Sequence, residues 1–98
     1  MTLIEHKGLG LSTELKEITQ RDLERFYKKQ REVWLEMGVD PTAISLPEYS
    51  GAVIRIASEL DFFSERFEDI DDWKPAKTSY LKDELAKAIV EATTIPPE

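Results

Sequence analysis

The chain has 98 residues, of which 41% are hydrophobic and 34% are charged, and its net charge at pH 7 is −7. A chain of this length forms one domain with one modest hydrophobic core. The negative charge argues against binding to nucleic acids or anionic membranes, and the absence of cysteine excludes disulfides and thiolate chemistry. We therefore expect a single small domain, residues 1–98, in the cytoplasm.

Two kinds of targeting segment are not predicted. No apolar run approaches the ~18 residues of a transmembrane helix. The first residues, Met1–His6, lack the charged and then apolar pattern of a signal peptide.

Residues 1–18 leave two alternatives open. Thr2–His6 is consistent with a short strand, Lys7–Gly10 with a turn, and Leu11–Ile18 with a region that holds a second short strand. Together they would form a hairpin, which is marginally stable unless it packs on other elements. A terminal segment of this kind is equally consistent with a disordered arm.

A first helix is predicted over Gln20–Met37. Thr19 is a favourable N-cap, and Asp22 three residues later favours the positive end of the helix. One face of this segment is apolar and the opposite face carries mixed charges. Gly38 follows as a left-handed cap. Leu35 points away from the apolar face and is expected to be exposed.

The central helix is predicted over Ser45–Leu60, after a connecting loop at Val39–Ile44 in which Pro41 prevents helix continuation. Ser45 and Glu48 have the spacing of a capping box, and proline is well tolerated in the first turn, where Pro47 lies. Apolar residues cover an arc of roughly 200°, wider than a helix with one neighbour needs. We therefore expect two other helices to cover this one.

A long connection and a third helix complete the chain. Asp61–Lys74 is rich in acids and aromatics, and Ser64–Phe67 within it is compatible with a helical turn. Pro75 begins the third helix at its favoured position, and residues 93–98 form an extended tail. Six residues of this helix are predicted to face the core: Thr78, Leu81, Leu85, Ala88, Ile89 and Ala92. These patterns predict an all-α, compact three-helix domain, with a short N-terminal β-hairpin or arm.

No catalytic, cofactor-binding or metal-binding site is predicted. The single histidine, His6, has only Glu5 near it in sequence, and adjacent strand residues face opposite ways. The Gly8–Gly10 segment lacks the third glycine of a phosphate-binding loop. The acidic segment Glu65–Asp72 lacks the spacing and the glycine of a calcium-binding EF-hand loop. We expect the chain not to be an enzyme.

A protein partner surface is predicted in the long connection. From Glu59 to Asp72 the chain has seven acidic residues and one basic residue. A solvated acidic loop pinned by apolar side chains is one interpretation, and a docking patch for a basic partner surface is the sharper one, since aromatic residues are enriched at interface hot spots. The candidate contact residues are Leu35, Phe62, Phe63, Phe67 and Trp73. A second copy of the chain is also an eligible partner.

The alternative hypothesis is a nucleic-acid-binding or regulatory helical domain. It would use the basic face of the first helix, which carries Arg21, Arg25, Lys28 and Lys29. Acidic residues interleave on this face, and Glu24 with Lys28 makes a favourable i,i+4 pair. A solvated face of mixed charge is the simpler interpretation. A third hypothesis, an enzyme subunit with a site shared at an oligomer interface, is favoured by no sequence feature.

Three segments carry a resemblance to a known group: Ile18–Glu24, Ser45–Arg55 and the end of the last helix with Glu91–Glu98. In these segments the chain resembles small helical proteins encoded in tailed-phage and prophage genomes, some of which are interpreted as tail assembly chaperones. The resemblance implies a non-enzymatic assembly factor that binds an unassembled tail component, the tape-measure protein above all. It implies no site residue, because its motifs are caps, core positions and a tail.

Overall fold

The computed structural model describes residues 1–38, 40 and 42–97. In this part of the chain two strands, β1 (Thr2–His6) and β2 (Leu11–Leu15), precede three helices, α1 (Gln20–Met37), α2 (Leu46–Glu59) and α3 (Pro75–Thr93). The predicted three-helix domain is confirmed, and a hairpin stands where a hairpin or an arm was expected. The fold is therefore helical with a small β element rather than purely all-α. No helix of the described residues is both long enough and apolar enough to cross a membrane.

Three residues, Val39, Pro41 and Glu98, lie outside the described part of the chain. The predicted loop at residues 39–44 and the predicted tail at residues 93–98 include them. The expected role of Pro41 in preventing helix continuation therefore lies outside the described residues.

The hairpin packs one face on the helices. β1 pairs antiparallel with β2, from Thr2 opposite Leu15 to His6 opposite Leu11. Alternate residues, including Ile4 and Leu15, are buried because successive side chains in a strand point to opposite faces. The turn closes through Gly10, whose φ of 62° is a left-handed conformation that glycine adopts without strain.

The Asp61–Lys74 connection pairs with the hairpin. The N–H of Lys16 donates to the carbonyl of Phe62 at 2.9 Å, and the N–H of Ser64 donates to the carbonyl of Glu14 at 2.8 Å. These bonds make an isolated antiparallel bridge between Leu15 and Phe63. The helical turn considered at Ser64–Phe67 does not form, because the main chain of Ser64 is hydrogen-bonded to Glu14 in the pairing with β2. The turn forms later, as a 3₁₀ turn at Ile70–Asp72.

The predicted caps at Thr19, Gly38 and Ser45 are confirmed, but the capping box predicted for Ser45 and Glu48 is incomplete, because the Glu48 carboxylate accepts from the Ser45 hydroxyl and not from the Ser45 N–H. The Thr19 hydroxyl accepts the N–H of Asp22, and the Asp22 carboxylate accepts the N–H of Thr19 at 3.0 Å, which completes a capping box. Gly38 ends α1 in the left-handed conformation. At α2 the Ser45 hydroxyl accepts the N–H of Glu48 and donates to the Glu48 carboxylate at 2.7 Å, so the side chains interact directly.

The central position of α2 is confirmed, since it packs against both α1 and α3. Its buried residues include Val53, Ile54 and Ile56. Gly51 and Ser58, which lie outside the apolar arc of α2, are also buried. For Ser58 the reason is the connection, which folds back so that the N–H of Phe67 donates to the Ser58 hydroxyl at 2.8 Å.

The predicted core face of α3 is confirmed over the first half of the helix, but it ends earlier than predicted. Thr78, Leu81 and Leu85 are buried, and Ala88 and Ile89 are half-buried. Ala92, predicted to face the core, is exposed. α3 has 19 residues and its main neighbour α2 has 14, so the last turn of α3 extends beyond the core.

A buried carboxylate joins the hairpin to α1. Asp22 is 3% exposed, and Lys16 Nζ donates to its Oδ1 at 3.1 Å. Burial raises the pKa of this carboxyl group. The hydrogen bonds from Thr19 and Lys16, with the charge of Lys16, outweigh burial and leave the pKa below its ordinary value.

We expect Asp22→Ala to cost about 1–3 kcal/mol at pH 7, because it removes a cap partner and the charge-assisted hydrogen bonds that Thr19 and Lys16 donate to this carboxylate. The native pKa is lowered, so the stabilisation is present above the unfolded pKa of about 3.9 and is lost as pH falls through the native pKa. Urea unfolding at neutral and at acid pH measures this. The difference between wild type and variant should shrink in acid, and a constant difference would contradict the assignment.

Candidate functional site: an apolar groove between α1 and α3

The aromatic residues predicted to form a partner surface lie mostly inside the fold. Phe62 is 0% exposed and Phe63 is 4% exposed, so their expected exposure is wrong. Phe67 and Trp73 are half-buried, meet edge to face with ring centroids 4.9 Å apart, and pack against the core. The pairing of the connection with β2 is the cause, since it draws Phe62 and Phe63 under the hairpin and α2.

Leu35, the fifth predicted contact residue, is 82% exposed, which confirms its predicted exposure. It lies on the outer side of α1, away from Phe62 and Phe63 in the core. The five predicted residues therefore do not make one surface.

The exposed apolar side chains of the three helices instead meet at a groove between α1 and α3. Tyr27 of α1, Tyr49 of α2 and Val90 of α3 line it, and each of them is more than a third exposed. Leu46 extends the same line, since Leu46, Tyr49 and Val53 share one face of α2 at i, i+3 and i+7. The groove is thus the place where all three helices present apolar surface to solvent.

Buried core residues form the floor of the groove. Phe26 of α1, Val53 of α2 and Leu85 of α3 lie at its base, and each is at most 5% exposed. The groove encloses about 280 Å³ and is open along one side. Its walls cannot collapse without moving the core, because interiors are close-packed and transmit strain.

Aromatic stacking fixes one wall. Trp34 stacks on Tyr49 with ring centroids 6.2 Å apart and planes 25° from parallel. Tyr27 meets Phe26 edge to face at 5.4 Å. Such pairs stabilise an arrangement beyond the area they bury. The rim is therefore made of rings held in place by their neighbours rather than of freely rotating side chains.

Two polar groups border the groove. Gln30 of α1 is half-buried in its wall, and Lys82 of α3 lies at its edge with Nζ 2.9 Å from the carboxylate of Asp83. The Lys82 side chain is mostly buried, so its methylene groups add apolar surface while its charge stays at the rim. The groove can therefore hold an apolar surface and orient it through a few polar contacts.

The groove follows from the packing of α2. Its wide apolar arc is covered by α1 on one side and by α3 on the other. The strip of α2 between them, which carries the exposed side chains of Leu46 and Tyr49, is left accessible to solvent. A fourth helix in this position would complete a bundle.

The other candidate sites give weaker support for a binding or catalytic role. The acidic connection borders a polar cleft at Arg55 and Arg66, but Asp71 pairs with Arg55 and Asp61 pairs with Arg66, so acids of the same surface neutralise both cations. His6 packs edge to face on Tyr80 with centroids 5.0 Å apart. The described residues hold no group of three or more metal-ligating side chains placed to bind an ion.

The basic face of α1 is a mixed-charge surface. Arg21, Arg25 and Lys28 are exposed there. Among the described residues the expected pair between Glu24 and Lys28 does not form an ion pair within 4.0 Å. The acids between the cations limit the positive field that a phosphate backbone would meet.

Comparison with known proteins found no match, either among family models, among curated proteins or among solved structures. The case for the groove therefore depends on its geometry.

Proposed function

We propose that this chain is a non-enzymatic protein-interaction domain that binds an apolar helical segment of another protein in the α1–α3 groove. The observation that carries the proposal is the groove itself, in which three helices expose aromatic and aliphatic side chains above a fixed, buried floor. Exposed apolar surface bordered by polar residues is typical of interaction sites.

The shape of the groove favours a helix as the bound segment. Walls formed by α1 and α3, with an exposed strip of α2 between them, match the helix-in-groove mode of recognition. An amphipathic helix would bury its apolar face on Tyr27, Tyr49 and Val90 and leave its polar face in water. Tyr27 and Tyr49 would be the principal contacts, since tyrosine is enriched among residues that dominate binding energy.

The family resemblance narrows the proposal to phage tail assembly. In that form the partner is an unassembled tail component such as the tape-measure protein, whose long helical segments would be held before assembly. The process would take place in the cytoplasm, and a chain without cysteine is suited to that reducing compartment. A tail chaperone of this kind needs a binding groove and no catalytic group.

Val90→Lys tests the groove. Val90 is 62% exposed in the last turns of α3, where a cation is favourable to the helix, so the variant should fold. A charged group among the apolar contacts should weaken partner binding by at least about tenfold, which corresponds to about 1.4 kcal/mol, because the partner would have to bury that charge. The measurement is quantitative recovery of co-purifying proteins on tagged chain.

The matched control is Glu91→Gln. It changes the net charge by the same amount, one residue further along α3, at an exposed position outside the groove. A partner retained by wild type and by Glu91→Gln but lost from Val90→Lys supports the proposal. Equal recovery by all three proteins would contradict it.

A further inference from the structure

The free edge of β1 offers unpaired main-chain groups, and the hydrogen bonds of β2 show which groups these are. The carbonyl of Glu14 and the N–H of Lys16 both bond to the Phe62–Ser64 segment, and the N–H of Glu14 bonds to the Ser64 hydroxyl at 3.1 Å. In an antiparallel ladder residues bond alternately to one neighbour and then the other. Leu15 and Thr13 must therefore bond toward β1.

The same alternation fixes β1. Leu15 and Thr13 lie opposite Thr2 and Ile4, so Thr2 and Ile4 bond to β2. The N–H and carbonyl groups of Leu3 and Glu5 then point outward, away from the hairpin. No other hydrogen bond among the described residues reaches the main chain of Leu3 or Glu5. Two donors and two acceptors are thus aligned on one accessible edge.

β1 has one of the usual protections of such an edge, the charged side chain of Glu5, and lacks most of the others. Edge strands are commonly blunted by charged side chains, above all lysine, and by proline, a bulge or a covering element. Residues 2–6 contain no proline and no lysine, the pairing with β2 is continuous over all five residues, and Leu3 is 62% exposed. The edge is therefore competent to add a strand.

We propose that the β1 edge binds an extended segment of another protein by strand addition, with a basic side chain of that segment facing Glu5. Side chains of Leu3 and Glu5 share the outer face of the sheet, where Glu14 lies opposite Leu3. An added strand would place an aliphatic residue beside Leu3 and, two residues away, a cation beside Glu5. The edge is separate from the α1–α3 groove, so a result that contradicts one proposal leaves the other unaffected.

A second copy of the chain fits this edge less well. Each copy carries a charge of −7, which opposes the pairing of one β1 edge with another. A basic extended segment has the opposite charge and adds the same main-chain bonds.

The experiment uses the full chain and a short blocked peptide in which valine and lysine stand two residues apart with threonine between them, so that both can lie on the outer face. Its counterpart has glutamate in place of lysine. Amide chemical shifts are followed by NMR during titration. We expect shifts centred on Leu3 and Glu5, and tighter binding of the lysine peptide by about two- to fivefold for each facing pair of charges. In Glu5→Lys the preference should reverse.

Leu3→Pro supplies the main-chain test. It removes an outward N–H and no ladder bond, so the hairpin should remain and peptide binding should be lost. Ile4→Pro, by contrast, removes an inward N–H and a buried side chain, and should disrupt the hairpin. Unchanged peptide binding by a folded Leu3→Pro, an unchanged preference in Glu5→Lys, or no shifts at saturating peptide would overturn the proposal. Shifts that depend on protein concentration without peptide would assign the edge to a second copy instead.

Discussion

Phe62→Ala should destabilise the protein by about 3–5 kcal/mol, the cost of deleting a fully buried phenylalanine. Phe62 is 0% exposed, stacks on Phe26 with ring centroids 5.9 Å apart, and follows α2 directly. Its N–H donates to the carbonyl of Ala57 at 3.0 Å, in a cap where Asp61 adopts the left-handed conformation at φ 60°. The main chain at position 62 is therefore held in place and cannot move to fill the cavity that loss of the ring leaves.

Denaturant unfolding with far-UV circular dichroism measures this loss. Leu35→Ala is the matched control, because Leu35 is 82% exposed and its truncation should change the free energy of unfolding by no more than about 0.5 kcal/mol. If the two variants were equally stable, Phe62 would have to be a surface residue, as the sequence suggested.

Leu85→Ala should cost about 2–5 kcal/mol, because Leu85 is 1% exposed where α3 meets α2. Leu85 also lies at the base of the α1–α3 groove, so its loss should loosen the groove as well as the core. In a domain of this size each kcal/mol lowers Tm by about 4–8 °C. Calorimetry of wild type and variant measures the shift.

The control for Leu85→Ala is Val90→Ala, on the same helix but largely exposed. It should leave Tm close to that of wild type while removing part of the groove rim. An unchanged Tm in Leu85→Ala would contradict the packing of α3 on α2.

Local signals were enough to predict the helices. Thr19, Ser45 and Pro75 each stand where a helix begins, and Gly38 stands where α1 ends. These residues act through hydrogen bonds and dihedral preferences within a few residues, so the sequence contains the whole cause. The width of the apolar arc on α2 likewise predicted that two helices would cover it.

Local sequence signals could not predict the long-range pairing of the connection with β2. The burial of Phe62 and Phe63 depends on a bridge between Leu15 and Phe63, two residues that no local pattern connects. The helical turn moved from Ser64–Phe67 to Ile70–Asp72 for the same reason. Aromatic residues in an acidic segment are consistent with a surface or with a core, and tertiary contacts decided for the core.

The sequence allows only part of the groove to be predicted. Tyr27 and Tyr49 lie on the apolar faces of α1 and α2, and the sequence pattern alone would place them in the core, yet both border the groove. The signal was the size of the α2 arc, since two helices cannot cover both sides of it and the strip between. Val90 lies outside the core face of α3, which gave no reason to place it beside Tyr27 before the packing was known.

Site-specific photo-crosslinking at position 90 tests the central claim most directly. A photoreactive phenylalanine analogue replaces Val90 in one version of the tagged chain and Lys87, an exposed residue outside the groove, in another. We predict that position 90 crosslinks to one partner protein through a helical segment and that position 87 does not. Equal crosslinking from both positions, or crosslinking from position 87 alone, would contradict the assignment of the α1–α3 groove as the binding site.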